Sequence, residues 1–260
     1  MPPPFPERYF EIQYTFAQKV ASVLCIPIDE ALLQYTSFYR RMGIQDKDFN
    51  RNSPVWRDFV ERIPQGECVP KIAYLIYLNG LETKTEEIGK FGCFRYDYRQ
   101  DSKSIVIHFA NRVGGKNVSP LSSERKVERM SELKQMFSHI SYHLPEAKLV
   151  SGGSWLYDLQ SYKRLFPAEY INNLKLCNGE FIQYCSTWGQ FLDYFGNLKE
   201  NLCSEFLHRM ARASTKEELI HSFPHPTYRV CTEIEYFYRF YEFDFGGMPN
   251  HQVARSETVC

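Results

Sequence analysis

The residues best placed to do chemistry lie between a strand-like run and a long helix. Arg112, Gly114, Gly115, Lys116 and Asn117 follow Ser-Ile-Val-Ile-His-Phe-Ala-Asn (104–111) and precede a helical pattern that runs to Leu144. A helix start presents free backbone N–H groups and a partial positive charge. Glycines let those groups approach an anion closely, and Arg112, Lys116, Arg125 and Lys126 add charge. The expected ligand of such a loop is a phosphate or pyrophosphate. The spacing is neither G-x-x-x-x-G-K-[ST] nor G-x-G-x-x-G, so neither the P-loop nor the dinucleotide fingerprint applies. The same stretch also reads as a plain connection with no ligand.

Other constellations carry less. His139 and His143 share a helix face, but the glutamate of H-E-x-x-H is missing, so a solvated face is expected and no metal is assigned. Ser151-Gly-Gly-Ser154-Trp lacks the second glycine of a nucleophile elbow. Cys185 has no sequence context that marks a nucleophile. Glu124 to Arg129 reads as a solvated, internally paired face. The Tyr236 to Phe245 aromatic cluster reads as core, or as an interface between copies of the chain.

The elements that must position these residues follow from periodicity. Helices are predicted over Glu7 to Leu24, from Asp29 to about Gly43, and from Ser53-Pro54 to Ile63, the last with proline at its first position. Lys71 to Leu78 is a compact apolar run and predicts a buried strand. Phe91 to Tyr98 and Ser104 to Asn111 predict two more, completing an antiparallel meander. A long helix is predicted from Ser119-Pro120, with Val127, Met130, Leu133, Met136 or Phe137, and Ile140 facing inward. Ala147 to Ser151 and Tyr170 to Leu176 predict strands, and Thr215-x-x-Glu218 opens a helix with capping-box spacing. Tyr228 to Ile234 alternates like a strand, whereas Glu235 to Tyr241 fits strand or helix.

Composition bounds the class. The 260 residues carry 31 Lys plus Arg against 31 Asp plus Glu, which excludes a general nucleic-acid binder needing a basic excess. No stretch reaches the length of a membrane span, and the N-terminus lacks the pattern of a signal peptide. Eight cysteines with no C-x-x-C pair predict reduced thiols in a cytoplasmic protein. The order of elements predicts one α+β domain over residues 1–245, with a mostly antiparallel central sheet flanked by helices, and a flexible tail over 246–260.

With these elements in place, the chain resembles the GNAT acyltransferase superfamily. The likeness rests on a basic glycine loop after a strand, Arg112-Val-Gly-Gly115-Lys-Asn117, set against the family's Arg/Gln-x-x-Gly-x-Gly/Ala. Asn117 stands where the family has a small residue. A more local likeness, over about Ile105 to Leu176, is to the GNAT-like half of bacterial acyltransferase-like proteins: Ser119-Pro-Leu-Ser-Ser-Glu, Gly153-Ser-Trp-Leu-Tyr-Asp158 and Leu165-Phe-Pro167. The resemblance implies acyl-coenzyme A or coenzyme A as co-substrate, bound at Arg112, Gly114, Gly115, Lys116 and Asn117. It implies His108 as base and Tyr157 as acid in acyl transfer to an acceptor. The alternative it leaves open is a non-catalytic protein of the same fold that acts as a binding or assembly module.

Overall fold

A computed structural model describes residues 4–44, 46, 48–81, 91–110 and 118–242. The chain is α+β and divides into two compact units, one of Met1–Glu87 with Leu176–Tyr228, the other of Ile88–Lys175 with Arg229–Cys260.

The first unit is helical. Its N-terminal part contains α1 (Arg8–Leu24), α2 (Ile28–Tyr35), α3 (Phe38–Arg41), α4 (Pro54–Arg62) and α5 (Val69–Leu81). Apolar residues recur along α1 at helical spacing, so Phe10, Ile12, Phe16, Ala17 and Val20 are buried together. Ser53 precedes Pro54 at the start of α4 as its sequence predicts, because proline there costs no helical hydrogen bond. Lys71 to Leu78 is not the predicted strand but the middle of α5. Its inward residues Val69, Ile72, Ala73 and Tyr77 fall three and four apart, and Leu75 on the outer side, 47% exposed, hides that period.

The second unit begins with β1 (Phe94–Arg99) and β2 (Ser104–Phe109), followed by α6 (Lys126–His143) and β3 (Leu149–Ser154). Short helices α7 (Gln160–Lys163) and α8 (Ala168–Asn172) lead to the two-residue strand β4 (Lys175–Leu176). Tyr170 to Leu176 is therefore not one strand as predicted: Tyr170 to Asn172 end α8, and only Lys175–Leu176 is strand. Pro167 sets the start of α8. The first unit then resumes with α9 (Cys185–Trp188), α10 (Glu200–Arg212) and α11 (Lys216–His221). Thr215 caps α11 by accepting from the Glu218 N–H at 3.2 Å, as the capping-box spacing predicts. Its aromatic core gathers Phe16, Trp188, Phe206 and Phe223, with Phe16 ring centroids 5.3 to 5.6 Å from the other three. The described residues end with β5 (Tyr228–Glu233) and α12 (Glu235–Phe240), which settles the open choice at Glu235 as helix.

One five-stranded sheet has the order β1-β2-β3-β5-β4. It is mixed: β1 and β2 form an antiparallel hairpin, whereas β2 and β3 run parallel with α6 as their crossover. Phe137 of α6 stacks on Phe237 of α12 at 4.6 Å, and Tyr170 meets Phe237 at 4.9 Å. The dense C-terminal aromatic run thus supplies core, not interface, at Phe237 and Tyr241, both buried. Residues 243–260, including the predicted tail, lie outside the described residues.

Candidate functional site

The site is built around the β2–α6–β3 crossover. Alternation along a strand sends successive side chains to opposite faces. Ile105, Ile107 and Phe109 share one face with Val150 and Gly152, while Ser104, Val106 and His108 share the other with Ser151. The parallel pairing covers only Ser104–Leu149, Ile105–Val150 and Val106–Ser151. Ser151 pins the last of these pairs, its hydroxyl 3.1 Å from that of Ser104 and 3.4 Å from the Ile105 carbonyl. Beyond that point β2 continues through Ile107, His108 and Phe109, and β3 through Gly152, Gly153 and Ser154, without pairing to each other. Two parallel strands whose pairing ends in this way carry backbone groups there that do not bond to each other.

His108 lies in the parted stretch. Its Nε2 is 2.8 Å from Oδ2 of Asp97 on β1, with the His108 side chain 34% exposed. A carboxylate only accepts, so Nε2 carries the proton and Nδ1 is left as an acceptor. Burial holds the imidazole below the ordinary histidine value, against the opposing pull of Asp97 and with the help of Arg95 and Arg99. A neutral imidazole oriented by a carboxylate has the attributes of a general base.

Tyr157 stands elsewhere. It is 1% exposed, and its hydroxyl is 2.7 Å from that of Tyr170. Its ring packs on Tyr162, which in turn packs on Phe109. A β-carbon at Gly152 would strike the Tyr157 hydroxyl, so Tyr157 lies on the Phe109 face. The structure therefore does not bring His108 and Tyr157 together: they belong to opposite faces of the sheet. Burial pushes the Tyr157 phenol well up, and the adjoining Tyr170 adds to that shift.

The loop residues Arg112, Gly114, Gly115, Lys116 and Asn117 lie outside the described residues. The segment after them differs from expectation. Ser119-Pro120 does not open the long helix. A 3₁₀ turn at Ser123–Arg125 intervenes, and α6 begins at Lys126. Arg164 fixes this approach by donating to the carbonyls of Leu121 and Ser122 at 3.0 and 2.8 Å. Lys126 is exposed at the helix start, and Arg125 pairs with Glu128 at 3.5 Å.

The inward face of α6 is also corrected. Leu133, Met136, Phe137 and Ile140 are buried as predicted, but Val127 is 80% exposed and Arg129 is buried in place of a residue of the apolar stripe. Arg129 pairs with Glu132 at 2.6 Å and Glu128 at 2.7 Å, and donates to Cys93 Sγ at 2.7 Å. Glu132 in turn accepts from the Cys93 N–H at 3.0 Å. These bonds commit Arg129 to the interior, so it is not part of a solvated face. His139 and His143 do share a face, with ring centroids 4.2 Å apart, and no third metal-ligating side chain joins them among the described residues.

Sequence reasoning missed the Asp97–His108 pair. The two are eleven residues apart on different strands, and only the hairpin register, which sets Arg95 opposite His108, brings Asp97 to the same face. The chain matches no protein-family model, no curated protein and no solved structure. No helix among the described residues is long and apolar enough to cross a membrane.

Proposed function

We propose that the chain is an acyl-coenzyme A-dependent acyltransferase whose second unit is of the GNAT kind, with a mostly antiparallel sheet broken by one parallel pair. The observation that carries this reading is the end of β2–β3 pairing after Val106 and Ser151, on a strand that the glycine-rich sequence 112–117 follows. An extended ligand lying in the gap would find strand edges to hydrogen-bond, as an added strand does. Its pyrophosphate would reach Arg112 to Asn117.

His108 then takes the proton from an acceptor amine or hydroxyl as that atom attacks the thioester carbonyl. The new bond forms at the acyl carbon, the carbon–sulfur bond breaks, and coenzyme A leaves as a thiolate that takes a proton from water. Asp97 orients the imidazole throughout. Tyr157, buried and bonded to Tyr170, packs behind β3 in this scheme and does not meet the leaving group.

A thermal scan with coenzyme A and with acetyl-coenzyme A tests the proposal. A ligand at a hundred times its Kd stabilises by about 2.7 kcal/mol. The melting temperature should rise with either ligand, and Arg112→Ala and Gly115→Val should each abolish the rise. No rise at millimolar ligand would overturn the proposal, and a rise kept by both variants would move the site elsewhere.

A further inference from the structure

The helical first unit holds a half-buried cation, Arg41, that no carboxylate among the described residues meets. Arg41 is the last residue of α3, and its Nε is fully buried with no hydrogen-bond partner. Among the described residues, the titratable groups that act on its charge most strongly are Cys185, Tyr9 and Tyr77. Its one hydrogen bond among them is long, NH2 to the Tyr9 hydroxyl at 3.5 Å. Burial pushes both phenols up, so at neutral pH neither supplies a negative charge. A guanidinium partly withdrawn from water without an anion is costly.

The surroundings are organised. Gln13, wholly buried on α1, accepts from the backbone N–H and the hydroxyl of Ser37 at 2.8 and 2.9 Å, and donates to the Tyr9 carbonyl at 3.2 Å. This network fixes the start of α3 against α1 and so holds Arg41 beside Tyr9. Over the guanidinium lies the ring of Phe5, 4.5 Å away and outside any helix. Phe5 stacks on Tyr77 at 5.7 Å, and its backbone N–H donates to the Tyr77 hydroxyl at 3.2 Å. Phe5 also lines an open pocket of about 400 Å³, along with Tyr74, Leu198 and the Arg8–Glu200 ion pair.

We propose that Arg41, with the hydroxyls of Tyr9 and Tyr77, receives the carboxylate of a small aromatic acid, and that Phe5 is the displaceable wall over it. One cation beside neutral phenol donors matches a single negative charge, and a guanidinium fork fits a carboxylate with two parallel hydrogen bonds. The rings of Phe5, Tyr74 and Tyr77 suit an aromatic body. This site lies in the first unit and does not depend on the coenzyme A reading.

The test is a thermal scan of the full chain with sodium benzoate, benzamide and inorganic phosphate, repeated on Arg41→Met. Benzoate should raise the melting temperature, while benzamide, its neutral counterpart, and phosphate should not. Arg41→Met should fold, since it keeps the apolar stem of the side chain beneath Phe5 while removing the charge. It should also weaken benzoate binding by about tenfold or more. Should Arg41→Met fail to fold, the comparison of benzoate with benzamide on the parent chain decides. An equal response to benzamide, a larger one to phosphate, no response to benzoate, or a benzoate response that survives in Arg41→Met would each overturn the proposal. Loss of stability in Cys185→Ala with no response to benzoate would make the Cys185 sulfur the partner of Arg41, and would overturn it too.

Discussion

Asp97 and His108 meet across the β1–β2 hairpin, carboxylate Oδ2 to imidazole Nε2 at 2.8 Å. The contact opposes the effect of burial, which holds His108 below its ordinary value. Asp97→Asn removes that opposition, so the His108 pKa should fall further, as followed by NMR titration of the imidazole. A rise in Asp97→Asn would contradict this account of the pair.

The same shift has a stability consequence. The folded pKa of His108 lies below the unfolded one, so the unfolded chain binds protons first as the pH drops. The stability associated with this group is present above the unfolded value of about 6.5 and is lost as pH falls through it toward the folded value. His108→Gln removes that loss. Chemical denaturation at pH 7.5 and pH 5 should therefore show a smaller acid-side decline in His108→Gln than in the parent chain. An equal decline in both would show that other groups carry the pH dependence.

Much of the helical framework is legible from spacing alone, because α1, α4, α6 and α11 each present buried residues three and four apart or a cap of recognisable type. The elements that escaped do so for physical reasons. α5 is apolar on several sides, so Lys71 to Leu78 lacks the polar face that would reveal its period. Arg129 occupies a core position because Glu128, Glu132 and Cys93 meet it there, and those partners are assembled by tertiary packing. The candidate loop was visible as glycine and charge. The parting of β2 from β3 was not, since that pairing joins residues some forty-five positions apart. Arg41 gave no local signal, for the neighbouring Arg40 is identical in type and only folding distinguishes them.

Gly152 is a position where a side chain has no room. A β-carbon there would overlap the buried hydroxyls of Tyr157 and Tyr170. Gly152→Ala should cost about 1–3 kcal/mol, the usual range for overpacking. Gly80, in α5, has nothing within 4 Å of its would-be β-carbon, and Gly80→Ala should hold or slightly raise the melting temperature. Equal effects at the two positions, measured by thermal unfolding, would contradict the assigned packing.

Tyr157→Phe separates packing from chemistry. It leaves the Tyr170 hydroxyl buried without its partner, a loss of about 1–3 kcal/mol in stability. Because Tyr157 lies on the face opposite His108, the pH dependence of any acyl transfer should be unchanged in this variant. A pH profile displaced on its alkaline side would restore Tyr157 to the role of acid.

Arg129→Met should be among the most damaging single changes. It strands Glu132 in a site where burial already raises the carboxyl above its usual range, and removal of one partner of a buried pair costs about 3–5 kcal/mol. A raised folded pKa means that the folded state binds the proton more tightly, so the variant's stability should recover in part as pH falls toward 5. A deficit independent of pH would show that Glu132 is not the stranded group.

Residue-resolved backbone hydrogen exchange with and without coenzyme A tests the coenzyme A site most directly. Coenzyme A should bring new protection over Ile107 to Phe109 and Gly152 to Ser154, beyond the last β2–β3 pair, together with Arg112 to Asn117. Binding that leaves these three segments unchanged and protects others, or no protection anywhere at saturating ligand, would contradict it.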